Sequence, residues 1–183
     1  MPAKIVPSET PQSGLGYRLM VFFMKHSKKE AFVTRLLQSS QVIPGAIVLD
    51  YASGPGIFTI PAAKITGSEG HVYAADINPQ AIKDVRSYAA REHLDNITAI
   101  QTACETGLDS GSVDVVLLFD CFHNFKEPVP ILTELHRVLK DGGYLSLEVD
   151  HGTAEGPIAV IESTGLFNRV DQPSFHQQIL FKK

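Results

Sequence analysis

No apolar run in this chain approaches the ~20 residues that a membrane-spanning helix needs, and the first residues carry no signal-peptide pattern. A cytoplasmic protein is therefore expected. Cysteine is scarce: Cys104 and Cys121 are the only two. Two residues cannot make a disulfide framework, and their spacing is not that of a zinc site, so no metal is expected. Clustered positive charge is missing as well. The net charge is −4, and the longest internal basic run is Lys28-Lys29. Binding nucleic acid in general needs grouped Lys and Arg, so that class is set aside. Internal repeats and low-complexity segments are also absent. What remains is a 183-residue chain, 44% hydrophobic, which is long enough for one domain with a real core.

The most informative stretch runs from Ala46 to Ala63. The apolar Ala46-Ile47-Val48-Leu49 ends on Asp50. Ser53-Gly54-Pro55-Gly56 makes a tight turn, and Ile57 to Ala63 suits a helix. Strand, turn and helix in that order form the first half of a βαβ unit, with a ligand crevice at the strand's carboxyl end. A dinucleotide fingerprint would need G-x-G-x-x-G, but Thr59 stands where the third glycine belongs. Asp50 at the strand end would also repel a pyrophosphate. A ligand with a cationic end suits the place better; an ordinary turn with no ligand is the bland reading.

Along the rest of the chain, Met1 to Ser13 read as a loose arm. Tyr17 to Met24 is strongly apolar, and Lys28 to Ser40 predicts a helix with Phe32, Val33, Leu36 and Leu37 on one face, capped by Ser27. Past the opening unit, His71 to Ala75 predicts a second strand ending on Asp76. That acid lies twenty positions after Gly56, close to the ~20 expected of a carboxylate that holds ribose hydroxyls. Its plainer role would be as an acid at a helix N-terminus, since Pro79 opens a helix from Gln80 to His93. Further strands are predicted over Ile97–Thr102, Val113–Phe119 and Tyr144–Val149, with helices over Pro128–Leu139 and Ala154–Thr164. Asp141-Gly142-Gly143 should turn into the fifth strand. Phe167–Asp171 and Gln177–Phe181 read as a closing hairpin around Pro173. The pattern predicts an α/β fold with a mostly parallel sheet and helices on both faces.

The glycine turn, read as Asp50, Ala52, Gly54 and Gly56, resembles motif I (D-x-G-x-G-x-G) of the class I S-adenosylmethionine (SAM)-dependent methyltransferases. Ala52 replaces the first glycine, as in some quinone methyltransferases. That is acceptable at negative φ and unwelcome at positive φ. Ser112 to Val116 looks like the start of the family's fourth strand. Lys140-Asp141-Gly142-Gly143 is similar to its L-K-P-G-G segment, with Asp141 replacing proline, and the closing hairpin matches its last two strands. The resemblance covers about Ile47 to Lys182 and implies a Rossmann-like seven-stranded sheet. Residues 1–45 would then be an arm and helices, and 46–183 the SAM-binding unit.

By that resemblance, the backbone from Ala52 through Ser53 to Gly56 approaches the methionine end of SAM. Asp50, next to Tyr51, faces its ammonium, and Asp76 takes the ribose. Ile77 and Asn78 lie along the adenine, whose amino edge the family usually reads with an Asp. Thr102 stands there, followed by Ala103 and Cys104. Phe119 should pass near the methyl. Asp120 and His123 are the base candidates after the fourth strand, although a histidine in such a loop is also commonly structural. The segment is not the N/D-P-P-Y/F motif used on nucleobase or glutamine amino groups. With no room for an inserted cap, the pocket wall is expected from residues 10 to 26 and from Asp120 to Glu127, with Tyr17 and Phe22 or Phe23 near the acceptor. A plain core role for Tyr17 to Met24 is the competing reading. A small or apolar acceptor, or a protein surface, would suit such a wall. Two alternatives stay open: a relative that binds SAM without transferring methyl, and an NAD(P)-dependent oxidoreductase.

Overall fold

The computed structural model describes residues 30–149, 152–171 and 175–183. Tyr17, Phe22, Phe23 and the Ser27 cap lie outside them.

Helix α1, Glu30–Ser39, buries Val33, Leu36 and Leu37, the face its helical spacing predicts. Strand β1, Ile47–Tyr51, leads through the glycine turn to α2, Thr59–Thr66. Strand β2, His71–Asp76, passes to α3, Pro79–Arg91, whose N-cap is Asn78 and whose first residue is proline. Both features favour a helix start, since the cap oxygen accepts an orphan N–H and proline has none to lose. Then follow β3 (Ile97–Gln101), β4 (Val113–Phe119), a 3-10 turn at Phe122–Asn124 and α4 (Pro128–Val138). The chain closes with β5 (Leu139–Glu148), α5 (Glu155–Ser163), β6 (Asn168–Arg169) and β7 (Gln178–Lys182).

The seven strands lie in the order β3-β2-β1-β4-β5-β7-β6. The first five are parallel, and β7 runs antiparallel to β5 and to β6. The chain therefore reverses direction across the sheet between β1 and β4, which opens a crevice at their carboxyl ends. Both faces are covered. Leu36, Leu37, Phe58, Ala62 and Ala63 pack on one, and Ile131, Leu132, Leu135, Val138 and Ile161 on the other. Strand β4 is accordingly buried nearly throughout, as expected of a central parallel strand.

Two expectations needed adjusting. Strand β5 starts at Leu139, ahead of the Asp141-Gly142-Gly143 bend, because Leu139 already pairs with Val113 before a register shift brings Tyr144 opposite Val115. The bend is a bulge inside the strand, with Gly142 at φ 80°. In the hairpin, β6 is only two residues long, and β7 begins one residue later than predicted.

Candidate functional site

The turn after β1 is built from left-handed backbone. Ala52 has φ 59°, Gly54 φ 52° and Gly56 φ 86°. The Ser53 N–H donates to Ala75 O at 3.0 Å, which ties the turn to β2. At Gly56 an added Cβ would stand 3.2 Å from Val85 Cγ2, so this glycine lets α3 pack close. At Gly54 it would meet nothing within 4 Å, so the backbone there faces open space. The buried Ser53 Oγ has no hydrogen-bond partner among the described residues. Ala52 adopts the positive φ that its methyl makes unwelcome, about 1–2 kcal/mol of strain for an L residue.

Carboxylates crowd the strand tips. Asp76, partly exposed, accepts from Gly54 N through Oδ2 (2.8 Å) and from Asn78 N through Oδ1 (2.7 Å). It thus bridges the glycine turn and the start of α3, with acceptor positions to spare. Burial pushes its carboxyl upward against those two bonds. Asp50 is only 2% exposed. Burial drives its carboxyl up to about 7, against the pull of the Thr59 hydroxyl, and nearby Asp76 adds to the rise. Cys121, whose Sγ sits 3.8 Å from Tyr51 O, shows how tightly these acids converge. Its thiol is raised first by burial and then by Asp50, Asp120, Asp76 and Glu148. One sulfur therefore feels carboxylates from the carboxyl ends of β1, β2, β4 and β5. Among the described residues no group of His, Cys, Asp or Glu has a metal-holding arrangement. A field of this sign suits an organic cation.

Several sequence-predicted residues have side chains engaged within the fold. The Tyr51 ring is in the core, with its hydroxyl donating to Ala103 O at 3.1 Å. The buried Phe119 ring packs edge-on against Phe58, 4.8 Å between centroids. Cys104 is buried. Asn78 spends its side-chain oxygen on Gln80 N at 2.9 Å, and Ile77 beside it is half-buried. The Thr102 hydroxyl is occupied locally, donating to Glu105 O and accepting from Cys104 N at 3.1 Å.

Sequence reading missed three arrangements. Thr59, noted there for not being glycine, is the hydrogen-bond partner of Asp50. Glu134, buried on α4, accepts from Thr106 N (2.8 Å), Thr106 Oγ1 (2.6 Å) and Arg137 Nε (2.7 Å), while Arg137 Nη2 donates to Leu108 O at 2.8 Å. These bonds clamp the loop after β3. The third is Glu148 at the end of β5, fully buried, with Oε1 3.7 Å from His176 Nε2. Nothing local in the sequence flags these pairs; the one signal for the last is the acid that follows the apolar Leu145 and Leu147 at the tip of β5. At the end of β4, Asp120 has φ 45°, and its Oδ1 lies 4.0 Å from Nδ1 of His123, an imidazole 52% exposed.

Comparison with known proteins agrees with this fold. The sequence model of the methyltransferase domain family matches residues 44–164. The ubiquinone/menaquinone biosynthesis C-methyltransferase of Marinomonas sp. (strain MWYL1) is 29% identical over 131 residues, 70% of this chain and 52% of that one. The aklanonic acid methyltransferase of Streptomyces sp. (strain C5) is 32% identical over 113 residues, 61% and 51% of the two chains. The chain thus spans about half the length of these curated relatives. Among solved structures, a SAM-dependent methyltransferase from Aquifex aeolicus superposes with a TM-score of 0.79 at 21% identity, covering 91% of this chain and 97% of its own, which speaks for the fold. No described helix is long and apolar enough to cross a membrane.

Proposed function

The chain belongs to the class I SAM-dependent methyltransferase family, and on that footing we propose that it transfers a methyl group from SAM to a small, largely apolar acceptor with a flat ring system. The observation that carries this reading is the Asp76 bridge: a carboxylate fixed by two backbone N–H groups beside an open glycine backbone, inside a ring of acids. A phosphate-bearing cofactor would meet repulsion there. A cationic nucleoside would meet attraction strengthened by low local dielectric.

In this reading Asp76 accepts from the ribose hydroxyls, and Asp50 supports the ammonium from beneath. The main chain from Ala52 to Gly56, with the Ser53 hydroxyl, faces the amino-acid end. Ile77 and Asn78 line the base, and the backbone of Ala103 and Cys104, held by the Glu134–Arg137 clamp, borders its edge. SAM would supply a methyl on a sulfonium whose leaving sulfide is neutral, so no acid is needed. The protein's work is then positioning, water exclusion and removal of the acceptor's proton. Residues 10 to 26 and Asp120 to Glu127 would wall the acceptor side, and likeness to a ubiquinone/menaquinone C-methyltransferase and an aklanonic acid methyltransferase favours a small-molecule acceptor over a protein.

Isothermal titration of the full chain with SAM, S-adenosylhomocysteine and NAD(P) tests the reading. Binding of the first two and not the third supports it. NAD(P) binding alone would revive the oxidoreductase reading, and SAM bound with no methyl passed to any aromatic acceptor would favour a binding protein.

A further inference from the structure

The loop after β3 begins beside Asp76. Gln101 stands opposite Asp76 in the register of β2 and β3, and the N–H of Thr102 donates to Asp76 O at 3.0 Å. A base joined to a ribose on the Asp76 carboxylate would lie close to this loop. Yet Thr102 has its hydroxyl engaged within the loop, donating to Glu105 O and accepting from Cys104 N at 3.1 Å. Ala103, half-buried, adds only a methyl. What these two residues can offer a base is main chain.

That main chain is anchored from two further sides. The Tyr51 hydroxyl, from the residue before the glycine turn, donates to Ala103 O at 3.1 Å. Past it, Glu134 Oε1 accepts both the N–H and the hydroxyl of Thr106, at 2.8 and 2.6 Å. Glu134 is itself gripped by Arg137, with Nε 2.7 Å from Oε2 and Nη2 2.9 Å from Oε1. Forked pairing of this kind adds geometric definition to charge-assisted bonds. Arg137 also reaches Leu108 O at 2.8 Å and Ser110 Oγ at 3.0 Å. Burial opposes the Glu134 charge, but the bonds from Arg137 and Thr106 hold its carboxyl below the usual range, so the grip is in place at neutral pH.

We propose that Glu134, Arg137 and Thr106 are positioning residues that set base selectivity: they fix the main chain at Thr102 and Ala103 as the reader of the adenine edge, where an acidic side chain would otherwise read it. This inference rests on the SAM reading above. A side chain can follow a shifted ligand by changing rotamer, whereas main chain reads only as sharply as its loop is held. Adenine shows a donor at its amino group and an acceptor at N1. Hypoxanthine shows an acceptor and a donor at the same two places. A rigid reader, whether N–H or C=O, is satisfied by one base and left unpaired by the other, and a loosened one tolerates both.

The test is calorimetry on the full chain with S-adenosylhomocysteine and S-inosylhomocysteine, which differ only at that edge. The wild type should prefer the adenine ligand by about tenfold or more. Thr106→Val and Glu134→Gln should bring the preference down to about threefold or less. Thr106→Ser, which keeps the hydroxyl, should retain it, as should Glu105→Gln, which neutralises the acid two residues after Ala103. If Glu134→Gln melts too low to titrate, Thr106→Val decides, since it exchanges one hydroxyl for a methyl. A preference absent from the wild type, unchanged in Thr106→Val, or lost in Thr106→Ser or Glu105→Gln overturns the proposal alone. Failure to bind either ligand takes down the cofactor reading as well.

Discussion

The Thr59 hydroxyl donates to Oδ2 of Asp50 at 2.5 Å, linking the first turn of α2 to the buried tip of β1. Together with the Thr59 backbone N–H it stabilises the Asp50 charge in a place where burial opposes it. The same threonine that departs from the dinucleotide fingerprint thus holds the carboxylate at the strand tip.

Asp50 should make cofactor binding pH-dependent. Its carboxyl is raised to about 7, mainly by burial, so below that pH it is mostly protonated. A bound ammonium favours the charged form, and binding must then release a proton. SAM affinity should rise between about pH 6 and pH 8, by no more than about tenfold per unit, and level off above. Calorimetry in two buffers of different ionisation heat would register the proton. A flat profile would remove Asp50 from the binding site.

The same shift predicts a stability gain on neutralisation. A folded-state value above the unfolded one stabilises the fold at low pH, and that contribution is lost as pH rises through about 7. At pH 8 the folded protein carries a buried charge. Asp50→Asn should therefore be more stable than wild type there, by about 1–3 kcal/mol in urea unfolding, with the advantage shrinking below about pH 7 and gone only below about pH 4. SAM affinity should fall in the same variant.

Removing the Asp76 carboxylate should weaken SAM binding by about one to two decades, since charge-assisted bonds are worth about 1.5–3 kcal/mol each. The amides of Gly54 and Asn78 lose their acceptor at the same time. Faster hydrogen exchange at Gly54 in Asp76→Ala would show that the bridge also shapes the turn. Unchanged affinity would mean that Asp76 only starts the helix.

Ala52 at φ 59° offers a substitution toward the family pattern. Ala52→Gly relieves about 1–2 kcal/mol of left-handed strain and gives back about 0.5–1 kcal/mol in unfolded-chain entropy. The variant should be as stable as wild type or up to about 1 kcal/mol better, with SAM affinity within twofold. A loss of stability would show that the Ala52 methyl makes packing contacts worth more than the strain.

Much of this molecule was readable before any coordinates. Val113 to Phe119 announced a central strand by being apolar at nearly every position, and the strand falls on those residues. Asp76 was singled out through its distance from Gly56, because one βα unit has a nearly constant length, and it does end β2 beside the glycine turn. Seven strands, a parallel core and an antiparallel end followed from period, turn residues and family likeness. The hydroxyl of Thr102 and the rings of Tyr51 and Phe119 were harder. A strand's alternation tells which residues share a face, but not whether that face opens onto a ligand or onto another ring.

Composition and spacing alone determined the fold class, the glycine turn, the placing of acids at the ends of β1 and β2, and the case against a phosphate-bearing cofactor. Those properties are local, set by the two-residue period of strands, the 3.6-residue period of helices and the φ that a turn demands. Tertiary structure alone decided the sign of φ at Ala52, the partner of Asp50, the clamp from Glu134 to Thr106 and the meeting of Glu148 with His176. Each of the last two joins residues 28 positions apart. They meet only once sheet order and register are settled, and those depend on how the whole apolar core packs rather than on any stretch of chain.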